Sequence, residues 1–125
     1  MNKADVYRKA AEVIVRDGMV KGSLFSDCPS MDNADYVEAV GDLGKSVCAI
    51  GACVRAQYEL YGTAYGSSRE LIDQAYRNFN FMTEIPARWG GTCNIQMLND
   101  AVGTSVEDVA LELKRRAEMV DDGVV

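Results

Sequence analysis

A chain of 125 residues is the size of one ordinary domain, long enough to bury a core without disulfides or a metal. Its 48% hydrophobic and 26% charged residues describe a folding globular chain and exclude a disordered one. The net charge of −6 repels nucleic-acid phosphates and anionic membranes, and the longest apolar run, Val47 to Val54, is far shorter than the ~20 residues that span a bilayer.

Residues 3 to 17 carry Val6, Tyr7, Ala10, Val13 and Ile14 on one helical stripe, with Asn2 placed to cap the start and Gly18 to close the end. This N-terminal stretch mixes charges among its apolar residues and has no cleavage site of the secretory kind, so a cytoplasmic protein is expected. Residues 19 to 45 lose the period and fill with Gly, Ser, Asp and Asn, predicting a long loop with a short helix over Ala34 to Val40 and a faint hairpin pattern in 19 to 31.

Residues 46 to 61 carry no charge until Arg55, so their first half is apolar all round and predicts a central helix enclosed by protein, ended by Gly62. Ser67 and Glu70 form a capping box for the next helix, whose buried face is predicted at Leu71, Ile72, Ala75, Tyr76 and Phe79. Residues 80 to 94, with Pro86 and Gly90-Gly91, read as a connecting loop, and Ile95 to Asn99 as a turn or two of helix. The last helix follows, with Thr104 and Glu107 as its expected capping box and Val106, Val109, Ala110, Leu113, Ala117 and Val120 on one stripe. Its acidic start and the run Lys114 to Arg116 complement the helix dipole, Glu112 pairs with Arg116, and the run is read as a solvated face. A recognition helix for DNA is disfavoured, because Glu107, Asp108 and Glu112 would face phosphates. The fold expected is all-α: a single-domain bundle over residues 1–125 of about four main helices with two long loops.

Chemistry is scarce. Histidine is absent, which removes the commonest general base and metal ligand. Cys28, Cys48, Cys53 and Cys93 are read as reduced thiols. Cys48 and Cys53 sit about 140° apart around a helix and do not chelate together. Acidic pairs such as Asp32 with Asp35, or Asn99 with Asp100, lack the spacing of a calcium loop, and the latter pair is read as bonding local backbone amides. No phosphate-cradling glycine loop is present. No cofactor and no metal is therefore expected. Arg88 and Trp89, in a Gly-flanked loop, have the composition of a binding hot spot, and Tyr58, Tyr61 and Tyr65 form a second aromatic group. Both have a plainer reading as covers of the core.

Three segments also resemble a known family. Gly18, Met19 and Gly22 close the first helix, Cys48 to Ala52 ("CAIGA") opens the buried one, and Leu98, Asn99, Asp100, Gly103 and Thr104 precede the last. This order resembles a family of small domains of unknown function in actinobacteria and their bacteriophages, in which tryptophan is usual where Met19 and Leu98 stand here. The resemblance implies an intracellular helical fold and supplies no activity. The leading expectation is a non-enzymatic protein-interaction protein, an accessory or host-directed regulatory factor encoded by a phage, binding a protein of unknown identity. The alternatives are a virion component or self-assembling homo-oligomer, and a thiol- or metal-dependent enzyme centred on Cys48, Asn99 and Asp100.

Overall fold

The computed structural model describes residues 1–26, 28, 33–84 and 91–124, and of residues 33–36 the backbone alone. The chain runs α1 (Lys3–Asp17), α2 (Asn33–Val40), α3 (Ala49–Tyr61), α4 (Ser68–Phe79), β1 (Thr83–Glu84), β2 (Thr92–Cys93), α5 (Ile95–Asp100) and α6 (Val106–Asp121). It is a mostly helical bundle in which α1, α3, α4 and α6 are the long elements. α1 packs on both α6 and α3, and α4 covers another side of α3.

The local signals largely act as expected. The Asn2 side chain accepts a hydrogen bond from Asp5 N, and Gly18, at φ 92°, donates its N–H to Ile14 O. Its positive φ is the kind that only glycine adopts without strain. α3 is buried from Ala49 through Gln57 because α1, α2, α4 and α5 all touch it. Tyr7 of α1 is the cross-brace. Its hydroxyl donates to Phe79 O at 2.6 Å, and its ring meets Phe79 and Phe81 edge-on.

Several expectations need correction. The capping box of α6 is Ser105 with Asp108, not Thr104 with Glu107. Thr104 is buried and its hydroxyl turns back to Leu98 O at 2.7 Å. On α4, Tyr76 is half exposed and only Leu71, Ala75 and Phe79 are buried. The stretch read as a plain loop holds an antiparallel ladder, with Thr83 opposite Cys93 and Glu84 opposite Thr92. Of the faint hairpin pattern in 19 to 31, residues 19 to 26 make isolated bridges to Val47, through Met19 and Phe25, and residues 27 and 29 to 31 lie outside the described residues.

The largest surprise is two guanidinium groups at zero exposure. Arg55 donates to Val40 O, Ala39 O and Lys45 O at 2.7–3.1 Å, pairs with Asp17 at 2.9 Å and lies over the Phe25 ring. It thereby satisfies the carbonyls that end α2. Arg116 pairs with Glu112 as expected, but the pair is buried rather than part of a solvated face, and the guanidinium also donates to Phe81 O and Cys93 O and stacks on Phe81. Arg115 bonds the same Glu112 and reaches Glu84 O at 2.7 Å, so the two arginines fasten the β1–β2 ladder to α6.

Candidate functional site

The three short motifs, far apart in the chain, meet at the start of α3. Residues 46–48 run extended beside the segment after α1. Val47 N donates to Gly18 O, Val20 N to Val47 O, Cys48 N to Leu24 O and Ser26 N to Ser46 O, all at 2.9–3.0 Å. The next turn of α3 then passes so close to this segment that a Cβ on Gly51 would stand 2.2 Å from Leu24 O. No real side chain tolerates that contact with backbone, which accounts physically for the glycine in "CAIGA".

The first turn of a helix leaves N–H groups without intrahelical partners. Here Cys48 is the N-cap, and its sulfur accepts from Gly51 N at 3.3 Å. Asn99, fully buried, takes another of these groups, its Oδ1 accepting from Ala49 N at 2.9 Å. The Nδ2 of Asn99 donates to Val20 O and to Asp100 Oδ1 at 3.0–3.1 Å. Asp100 in turn accepts from Gly22 N and from Gln96 Nε2, leaving the buried Gln96 Oε1 without a partner among the described residues. Lys21 donates to Ala101 O, Thr104 bonds Leu98 O as described, and Gly103 turns at φ 85°.

Asn99 and Asp100 were expected to bond local amides; most of their bonds cross to residues about 50 to 80 positions away. A one-dimensional reading has no access to that. What the knot can do chemically is limited. Burial pushes the Cys48 thiol up to about 12, opposed by the Gly51 and Ile50 amides, so the reactive thiolate form is disfavoured at neutral pH. Cys53 is likewise raised by burial. Cys48, Gly51, Asn99, Asp100, Gly103 and Thr104 thus act together as a staple for α1, α3, α5 and α6. Among the described residues no group of three or more Cys, Asp or Glu side chains is arranged to hold a metal ion. Asp32 lies outside the described residues, as does the side chain of Asp35.

The other candidates lie at the surface. Tyr61 and Tyr65 stack edge-to-face with centroids 5.2 Å apart, and their hydroxyls accept from Asn2 N and the Met1 amino group. Tyr58 turns toward Gly41 at the end of α2. Tyr58, Leu60 and Tyr65 are all partly open to solvent at 37–49%. Arg88 and Trp89 lie outside the described residues.

Sequence reasoning paired Glu112 with Arg116, as the structure does, but missed Asp17, Arg55 and the burial of the Glu112–Arg116 pair. A signal existed for Arg116, which continues the spacing of Val109 and Leu113 on the buried stripe of α6. Asp17 is held by Arg16 and Arg55. Burial raises its carboxyl, but the hydrogen bonds from those two arginines outweigh it and keep the group below its usual range.

No helix among the described residues is long and apolar enough to cross a membrane. Residues 1–119 match the sequence profile of DUF6197, a family of unknown function. No curated protein and no solved structure matches the chain.

Proposed function

The chain belongs to that family, and on this premise we propose that it is a non-enzymatic interaction protein that binds another protein through the aromatic end of α3. The supporting observation is a contrast. The polar motif residues spend their hydrogen bonds inside the fold, whereas Tyr58, Leu60 and Tyr65 offer rigid apolar area to solvent. Tyrosine concentrates binding energy at interfaces because a large surface is buried for little lost side-chain freedom. Arg88 and Trp89 supply, by composition, a second anchor. The finer reading, on the motif resemblance, is a cytoplasmic factor of an actinobacterium or its phage acting on a host protein.

The test is affinity capture of the tagged protein from an actinobacterial lysate, run beside Tyr58→Ala/Tyr65→Ala and Arg88→Ala/Trp89→Ala double variants of verified fold. A partner retained by the parent and lost from the tyrosine variant supports the reading, and loss only from the other variant moves the anchor to Arg88 and Trp89. Turnover of a small molecule that is abolished by Cys48→Ala would replace the interaction reading with an enzymatic one, as would stoichiometric native labelling of Cys48 by iodoacetamide.

A further inference from the structure

The outer face of the α1–α6 pair has a pattern that the motifs do not explain. The helices run antiparallel, as shown by Arg8 bonding Asp121 and by a groove walled by Arg8 and Glu12 on one side and Lys114 and Glu118 on the other. These positions fall on the stripes 8, 12, 15 and 118, 114, 111, spaced by four and three residues. From this spacing and the shared groove we read three rungs, Arg8 level with Glu118, Glu12 with Lys114 and Val15 with Leu111. The Arg8–Asp121 bond crosses the pair of helices one turn further on. The Val15–Leu111 pair is the most exposed aliphatic pair on the two helices, at 61% and 69%. Each charged rung is therefore a cation facing an anion, with the order reversed between them, and the third is apolar.

We propose that this face is an interface for a second copy of the same chain, related by a two-fold axis parallel to the helices. That operation lays α1 of one protomer on α6 of its partner at the same level. Every rung then meets its own counterpart: Arg8 meets a Glu118, Glu12 meets a Lys114, and two Val15 and two Leu111 side chains close into an apolar centre. The alternative two-fold, perpendicular to the groove, sets Glu12 on Glu12 and Lys114 on Lys114 when it crosses at their level. Crossing midway to the Arg8 level it pairs the charges but lays Val15 on Asp5 and Leu111 on Asp121, so only the parallel axis closes an apolar centre. At the far end Asp5 and Asp121 would face each other. Arg8 already bonds both within one protomer, so the Arg8 rung adds little and the interface is carried by the Glu12–Lys114 and Val15–Leu111 rungs. Two helices about 24 Å long give a contact on the order of 900 Å² in total, the low end for specific association. The dimer is accordingly weak, concentration-dependent and salt-sensitive. It does not depend on the proposal for the tyrosine surface.

Sedimentation equilibrium of the full chain at low salt, from about 10 μM to 1 mM, tests it. The parent is expected to dimerise, with Leu111→Asp weakening association at least tenfold while leaving the thermal midpoint nearly unchanged. Glu12→Lys and Lys114→Glu, each alone, set like charges on opposing rungs and are expected to cost about tenfold. In a mixture of the two variants, the lysine introduced by Glu12→Lys in one protomer meets the glutamate introduced by Lys114→Glu in the other. The unaltered Lys114 of the first protomer then meets the unaltered Glu12 of the second, and heterodimers should recover the parental affinity. A strictly monomeric parent overturns the proposal. So does a dimer indifferent to Leu111→Asp, or a pair of weakened variants that mixing does not rescue.

Discussion

The knot at the start of α3 and the outer face of the α1–α6 pair use polar groups in opposite ways. In the knot, Asn99, Cys48 and Thr104 are buried and their polar atoms answer specific backbone groups, so the chemistry is exhausted inside the fold. On the outer face, Arg8, Glu12, Lys114 and Glu118 are exposed, and their pairing leaves charge available to something outside. A buried polar group has to be satisfied at home, because stranding it costs the full desolvation penalty. An exposed one already has water and is free to exchange it for a partner at small cost.

Substitutions should separate the two regimes by size. Arg55→Ala should be the most damaging, at about 4 kcal/mol, since it strands the α2 carbonyls and half of the Asp17 pairing. Urea denaturation that finds a loss below about 1 kcal/mol would show that the cluster is not rigidly buried. Gly51→Ala forces a Cβ onto Leu24 O and is expected to cost about 3 kcal/mol; the same titration measures it. Asn99→Ala leaves Ala49 N and Val20 O unanswered, at about 2 kcal/mol, and amide exchange at Ala49 should accelerate.

A pH series sharpens the contrast further. The folded carboxyl of Asp17 is held below its unfolded value of about 4. Its contribution is therefore fully present above that value and disappears as pH falls through the lower folded one. Asp17→Asn should flatten that part of the acid limb, as urea denaturation at each pH would read. The smallest effect on stability belongs to Tyr65→Ala, within about 1 kcal/mol. Calorimetry that finds a larger loss would make that ring a cover for the core and weaken its place in a partner surface.

Much of this organisation was legible one residue at a time. Asn2, Gly18, Gly62 and the Ser67–Glu70 box were readable because capping depends on residues a turn apart. The shift of the last box from Thr104 to Ser105 shows the limit of that logic. Two adjacent hydroxyls offer equivalent local chemistry, and only the packing of Thr104 toward Leu98 O selects between them. The β1–β2 ladder escaped for a similar reason, since two residues per strand carry no readable alternation and the ladder lies against Arg115 and Arg116.

The candidate site divides the same way. The residue types of Cys48, Gly51, Asn99, Asp100, Gly103 and Thr104 stood out in the sequence, but their roles did not, because Asn99 answers Ala49 across 50 positions and Gly51 answers Leu24 across 27. Composition, periodicity and caps determined by themselves the helical class, the four long helices, the enclosed α3 and the lack of histidine chemistry, all of which depend on short-range sterics and on how much apolar surface must leave water. Tertiary structure alone decided which polar side chains are buried, which carbonyls they answer and which charged side chains line the outer groove. Hydrogen bonds and ion pairs are directional and short-ranged, and distant segments must first be brought together before they can form.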